Sequence, residues 1–386
     1  MDISYILNEL GEDRSQYFNA VAPPIVQTSN FVFDTFEELR NAFTNEESTF
    51  LYSRGKNPTI AILSKKLAAL DGAEDALVFN SGASAIFCSV MANVKSGDHI
   101  ISVEKPYSWA TRLFDNILPR FGVETTYIDG TKIENFENAL RPETKIIYLE
   151  TPNTLTFELQ DLKAVAQLAK NKGILTIADN SYCTPLHQKP HAFGIDLCLQ
   201  SGTKYLGGHS DVLAGVLTGT KEMMKKIFNE QLLNTGSGIS PFNAWLILRG
   251  LRTLPMRLEH ISKSTVKVIA YLKNHPKIEK VIFPFDEDFP QLELAHRQMT
   301  GAGGLFTILL KANSLDQIER FTYSLKRFLV AVSWGGHESL ILPQAAGIAP
   351  EAFDPTIEHH RLARVYIGFE DPDYLIKDFE QALEVL

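Results

Sequence analysis

The sequence predicts an α/β fold, with a mostly parallel sheet lying between helices (α/β/α) and a smaller α+β domain after it. Two observations carry this. Short strands such as ALVF (76–79), HIISV (99–103) and ILTIA (174–178) read as apolar runs instead of alternating ones, so both faces of their sheet are buried under helices. These strands alternate with amphipathic helical stretches until Pro241, after which long helices take over. The boundaries drawn this way are an N-terminal arm over 1–58, an α/β domain over 59–245 and a C-terminal α+β domain over 246–386.

In chain order, the arm has no firm rhythm. VAPPIVQTSNFVF is a proline-marked extended stretch, DTFEELRNAFTN a short amphipathic helix and LYSRGKNPT a polar loop. Such an arm buries itself poorly, and lying across another subunit would cover it. Thr59 is the expected N-cap of the helix IAILSKKLAALDG, which carries Ile60, Leu63, Leu67 and Leu70 on one face. Strand 76–79 follows, then a helix from Ser84 to Asn93, strand 99–103, a helix to Leu118, and strands 124–128 and 145–150. A helix over 161–173 leads to strands 174–178, 195–199 and 214–219. In the second domain Leu258, Ile261, Val268 and Leu272 mark one helical face that ends at His275-Pro276. VIFPFDEDFP reads as a loop and GGLFTILLK as a strand. RFLVAVSW, RVYIGFE and a final helix from DPDYLIKDFEQALEVL complete the domain.

Composition narrows the class. The 386 residues are 45% hydrophobic and 22% charged, ordinary for a globular chain with a large core. A formal net charge of -9 argues against a nucleic-acid surface, because no basic block is long enough to collect phosphates. Lys65-Lys66 and Lys225-Lys226 read as solvated helix faces. Cys88, Cys183 and Cys198 show neither metal spacing nor a disulfide framework, which suits a reducing cytoplasm. The start MDISYILNELGEDRS lacks the pattern of a signal peptide, and no apolar run is long enough to span a membrane, so neither a membrane nor a metal is expected.

The chemistry-bearing stretch is SGTK (201–204) behind strand 195–199, with Asp179 at the end of the neighbouring strand. One reading makes Lys204 the Schiff-base amine for pyridoxal 5'-phosphate (PLP), Ser201 and Thr203 hydroxyl donors to its phosphate, and Asp179 the carboxylate facing the pyridine nitrogen. The other makes Lys204 a capping or salt-bridging lysine and Asp179 the N-cap of a turn. Gly82 and Ala83, in SGAS between a strand and a helix, are placed to offer N–H groups to an anion.

These motifs, with YSRGKNPT, LETP, IADNSY, SGTKYLGGHSD, SPFNAWLILRGLRTLPMR, SWGGHESL and RVYIGFED, resemble the trans-sulfuration (Cys/Met metabolism) family of fold-type I PLP enzymes over nearly the whole chain. The resemblance implies that PLP is covalently bound to Lys204. It also implies that Tyr52 and Arg54 reach across a dimer to the phosphate, so that each site needs two chains of a homo-oligomer, usually a tetramer of dimers. Tyr107 would stack on the ring near the leaving group; the family commonly has two glycines after it, where this chain has Ser108 and Trp109. Arg364 would clamp the substrate carboxylate, with Ser333 and Trp334 lining that end. The family's asparagine that touches cofactor and substrate falls on Thr154, with Asn153 as a possible substitute.

For the reaction, Val332 stands where many γ-acting members have a glutamate, and SWGGHESL is similar to the bacterial cystathionine β-lyase pattern. Methionine γ-lyases also lack that glutamate. The expectation is β-elimination of L-cystathionine to homocysteine, pyruvate and ammonia. The alternatives are γ-synthase, γ-lyase or acyl-homoserine sulfhydrylase chemistry on the same scaffold and, more remotely, a non-catalytic PLP-binding protein.

Overall fold

The computed structural model describes residues 1–386, and the chain divides into two compact units. One comprises Met1–Asn153, Glu158–Gly207 and Asp211–Arg252; the other comprises Thr154–Phe157, Gly208–Ser210 and Thr253–Leu386.

The first unit is built on a 7-stranded sheet of order β1-β7-β6-β5-β4-β2-β3. Its strands are β1 Asp75–Phe79, β2 His99–Val103, β3 Glu124–Ile128, β4 Thr144–Glu150, β5 Leu175–Asp179, β6 Leu197–Ser201 and β7 Gly215–Gly219. Only β7 runs against its neighbours, pairing antiparallel with both β1 and β6. The apolar runs are explained by two cores. On β4, Ile146 and Tyr148 join one cluster while Ile147 and Leu149 join the other. A strand feeding a core on each face has no position left for a polar alternation. This is the mostly parallel α/β sheet between helices that the sequence predicts.

The first four helices of this unit, but not the fifth, begin where a side chain caps them. The five are α1 Ile3–Asn8, α2 Phe36–Thr44, α3 Pro58–Asp71, α4 Gly82–Met91 and α5 Ser108–Arg112. Asn57, not Thr59, caps α3: its Oδ1 accepts from the Thr59 N–H at 3.0 Å, and Pro58 takes the first helical position. The Thr59 hydroxyl instead holds the arm, accepting from Val26 N and donating to Pro24 O. α4 starts at Gly82 under a Ser81 cap, two residues before the expected start. The helix expected to run to Leu118 is α5 followed by a π turn over Leu113–Ile117 and a tight turn over Leu118–Phe121.

One charge reading is corrected. Lys65 is solvated, but Lys66 is 1% exposed, donates to the carbonyls of Ile6 and Leu7, and pairs with Glu12 at 3.1 Å. Burial lowers its pKa, against the pull of Glu12. Lys66 thus ties α1 to α3. Downstream of this tie the arm is poorly covered: Phe18, Val21, Val32, Phe36 and Phe43 are all exposed apolar side chains.

The second unit has a 5-stranded sheet of order β10-β11-β12-β9-β8, from β8 Ile278–Ile282, β9 Leu305–Leu310, β10 Leu329–Val330, β11 Leu340–Pro343 and β12 Leu362–Tyr366. The VIFP stretch starts inside β8 instead of being wholly a loop, and RFLVAVSW contributes only the two residues of β10. Helix Leu254–Lys273 buries Leu258, Ile261, Val268 and Leu272, the expected face. Helix Pro372–Leu383 starts under an Asp371 cap and packs Phe379 against Phe321 and Phe328. The three cysteines are free and buried, and no helix is long and apolar enough to cross a membrane.

Candidate active site

In the first unit, Glu150, Asp179 and Ser201 stand at the C-terminal ends of three adjacent strands, with Glu150 opposite Asp179 in register. That end of an open α/β sheet is where ligands bind, because the loops and helix N-termini there face outward from the strand ends. Lys204 lies in the loop from β6 to β7. With no crossover helix between them the chain returns antiparallel, and the loop neck is closed at Ala214. The Thr203 hydroxyl accepts from Ala214 N at 3.0 Å and lies 3.3 Å from Ala214 O, while Lys204 N donates to Ser201 O at 3.1 Å. Thr203 is therefore engaged in holding the turn, and Ser201 is the hydroxyl nearer the helix end.

Asp179 and Ser201 are joined through Ser181. Asp179 Oδ1 accepts from Ser181 N at 2.9 Å, and Ser181 Oγ accepts from Ser201 N at 2.7 Å. Burial pushes the Asp179 carboxyl up, while the Ser181 hydrogen bonds and the charge of Lys204 pull it back. Asp179 thus caps the turn that follows its strand, and its carboxyl is held in low dielectric within the field of Lys204.

The anion cradle forms at α4. Ser81 Oγ caps Ser84 N, leaving the N–H groups of Gly82 and Ala83 without intrahelical acceptors. A Cβ on Gly82 would lie 3.3 Å from Ser201 Oγ, so only glycine keeps the space between the helix end and that hydroxyl open. A phosphate fits this donor set: two backbone N–H groups, one serine hydroxyl and the helix dipole. Tyr148 Oη, on the strand that ends in Glu150, is buried without a hydrogen-bond partner within the fields of Asp179, Glu150 and Tyr107.

Glu150 stands in the LETP motif, where the sequence alone assigns it no role. The structure supplies one: Glu150 is 8% exposed and accepts from Tyr107 N at 2.6 Å, fixing the start of α5. Tyr107 stands at the N-cap position of that helix, where its side chain makes no capping hydrogen bond, and is exposed. Gln200, just before Ser201, was also missed. Its amide donates to both oxygens of the buried Asp71 at 3.0 and 2.8 Å, anchoring the end of β6 from below. Only a contact between residues so distant in sequence reveals this.

Tyr52 and Arg54 lie on the exposed arm, with the guanidinium 5.3 Å from the Tyr52 ring centroid. Asn153 is committed to Glu158: it accepts from Glu158 N at 3.1 Å and donates to the Glu158 carboxylate.

In the second unit, Arg364 sits mid-strand on β12, between Leu342 of β11 and Thr307 of β9. Its Nη2 donates to Ser333 O at 3.0 Å, from a Ser333 in a left-handed conformation (φ 77). Ser333 and Arg364 are therefore brought together, with Trp334 half-buried next in the chain. Arg257 is buried against Gly208, whose φ of +73 and lack of Cβ let the guanidinium approach; burial pushes its pKa down to about 10.

Comparison with known proteins bears on this arrangement. A family profile described as "Cys/Met metabolism PLP-dependent enzyme" matches residues 6–384. An L-methionine gamma-lyase of Treponema denticola is 38% identical over 383 residues, covering 97% of this chain and 95% of that protein. One from Porphyromonas gingivalis is 37% identical, covering 96% and 94%. A cystathionine gamma-lyase of Bacillus subtilis is 36% identical, covering 95% and 94%.

Proposed function

Because the chain belongs to the Cys/Met-metabolism family of PLP-dependent enzymes, we propose that it is a carbon–sulfur lyase acting at the γ carbon of a sulfur amino acid such as L-methionine or L-cystathionine. This corrects the expected β-elimination of cystathionine. The relatives matched over nearly their whole length carry γ-lyase names, and that observation carries the reading. Val332 failed to discriminate because a missing glutamate at that position is shared by β-lyases and methionine γ-lyases, and Trp334 added no test of which carbon loses its sulfur.

PLP, when bound, supplies an electron sink for charge released at the carbons next to the amine. In our reading Lys204 holds the cofactor, Asp179 faces its ring nitrogen, and Gly82, Ala83 and Ser201 take the phosphate. The Lys204 amine, next to a buried carboxylate, moves the protons at Cα and Cβ. Tyr107, with its backbone fixed by Glu150, gives a proton to the departing thiolate sulfur. Arg364, held by Ser333 O, takes the α-carboxylate with a planar fork suited to it. The balanced reaction consumes water and gives a thiol, ammonia and 2-oxobutyrate.

The arm is assigned to a second copy of the chain, which would cover its apolar side chains and receive Tyr52 and Arg54 at the phosphate. The chemistry is tested by incubating the PLP-loaded enzyme with L-cystathionine and identifying the keto acid. 2-Oxobutyrate with cysteine supports γ-elimination; pyruvate with homocysteine refutes it.

A further inference from the structure

We propose that Thr307 is a positioning residue that locks the segment Thr154–Phe157 onto the strand carrying Arg364, so that Thr154 and Arg364 form one rigid platform for the substrate carboxylate. The proposal rests on the reading of Arg364 as the carboxylate clamp and adds a residue to it.

Thr307 is fully buried on β9, and its Oγ1 donates to Leu155 O at 2.7 Å. It stands directly opposite Arg364 in the β9–β12 register. Partners directly opposite in an antiparallel pair project from the same face of the sheet. The Leu155 carbonyl therefore lies over the face from which Arg364 projects. An independent contact agrees: Leu155 packs on Leu309 and Leu362, which are paired to each other two residues along the same strands, with Ile282, the β8 partner of Thr307, alongside. Period-two alternation puts all of these on that one face.

The backbone of the segment shows why a lock is needed. Leu155 (φ 73) and Phe157 (φ 58) both adopt left-handed conformations that large side chains avoid. Such residues persist only where surrounding contacts over-determine them. Here those contacts include the buried side chains of Leu155 and Phe157 and the hydroxyl of Thr307. Without that hydroxyl a buried carbonyl loses its donor, and the segment has a reason to relax away from Arg364.

The test compares Thr307→Val, which keeps shape and loses the donor, with Thr307→Ser, which keeps the donor. The probes are KM and kcat for L-methionine, spectral titration of the PLP-loaded enzyme with unreactive L-norleucine, and amide hydrogen exchange over residues 154–158 without cofactor. For Thr307→Val we expect KM and the norleucine Kd to rise about 10-fold, kcat to stay within about twofold, and exchange in the segment to quicken about 10-fold. Thr307→Ser should restore all three. In an Arg364→Ala background Thr307→Val should add nothing to the loss of affinity, because the platform no longer has its clamp. Wild-type affinity and exchange in Thr307→Val would overturn the proposal, as would a serine variant no better than the valine one. If Arg364→Ala weakens norleucine binding while Thr307→Val does not, only the positioning role fails. If Arg364→Ala leaves binding unchanged, the carboxylate reading fails with it.

Discussion

Asp179 shows how one side chain is set against itself. The site keeps a carboxyl in low dielectric, which raises its pKa, and recovers part of that cost through Ser181 and the charge of Lys204. An acid whose folded pKa is raised costs stability above its unfolded pKa of about 4, and that cost disappears below it. Asp179→Asn keeps an oxygen for the Ser181 N–H and removes the charge. In urea titrations without cofactor, the variant should match the native protein near pH 4 and be the more stable of the two near pH 7. Turnover with PLP should fall by on the order of 10²-fold or more, because a neutral amide cannot keep the ring nitrogen protonated. A variant less stable than the native protein at pH 7 would refute this account of the carboxylate. At this scale the candidate side chains were visible in the sequence: Asp179 at a strand end, Lys204 in the turn after one, and Arg364 as a charge inside a strand. Glu150, Gln200 and Thr307 acquire roles only from partners distant in the chain, Tyr107, Asp71 and Leu155.

Among the elements, the tie between α1 and α3 depends on a buried cation. Lys66 satisfies two carbonyls of α1 and Glu12 at once, and the Glu12 side chain also meets Arg252 at 3.0 Å. Replacing the lysine alone leaves two carbonyls and a buried acid short of a donor, which is costlier than a lost surface pair. Lys66→Met should lower stability by about 3 kcal/mol, read as a shift in urea midpoint, whereas Lys65→Met should stay within about 0.5 kcal/mol. Equal, small effects would show that the pair is solvated after all. The sequence suggested a solvated face because adjacent lysines on a helix point about 100° apart, and nothing local says which of them meets α1. The α3 start was misassigned for a similar reason: Asn57 and Thr59 are both good caps, and the arm's use of the Thr59 hydroxyl chose between them.

For the molecule as a whole, the exposed arm and the placement of Tyr52 and Arg54 upon it give the proposed shared site a direct test. Arg54→Ala and Lys204→Ala should each be inactive alone. Unfolded together and refolded as a mixture, about half of the dimers would carry one of each variant, and each of those would hold one intact site of two, so about a quarter of native activity should return. No recovery, with assembly verified by light scattering, would mean that each chain completes its own site. In the proposed dimer the exposed Phe18, Val32 and Phe36 of the arm would be buried against the second copy.

The α/β class, the strand-end placement of the reactive residues and the likeness to a PLP family followed from the sequence alone. Each depends on short-range pattern: apolar runs that need two cores, and motifs whose spacing encodes a turn after a strand. The reversed direction of β7, the burial of Lys66, the commitment of Asn153 to Glu158 and the seat of Thr154–Phe157 beside Thr307 were decided by tertiary structure. In each of these a polar group could be satisfied by more than one partner. The choice falls to whichever neighbour the packed fold brings within about 3 Å, a distance that no local pattern encodes.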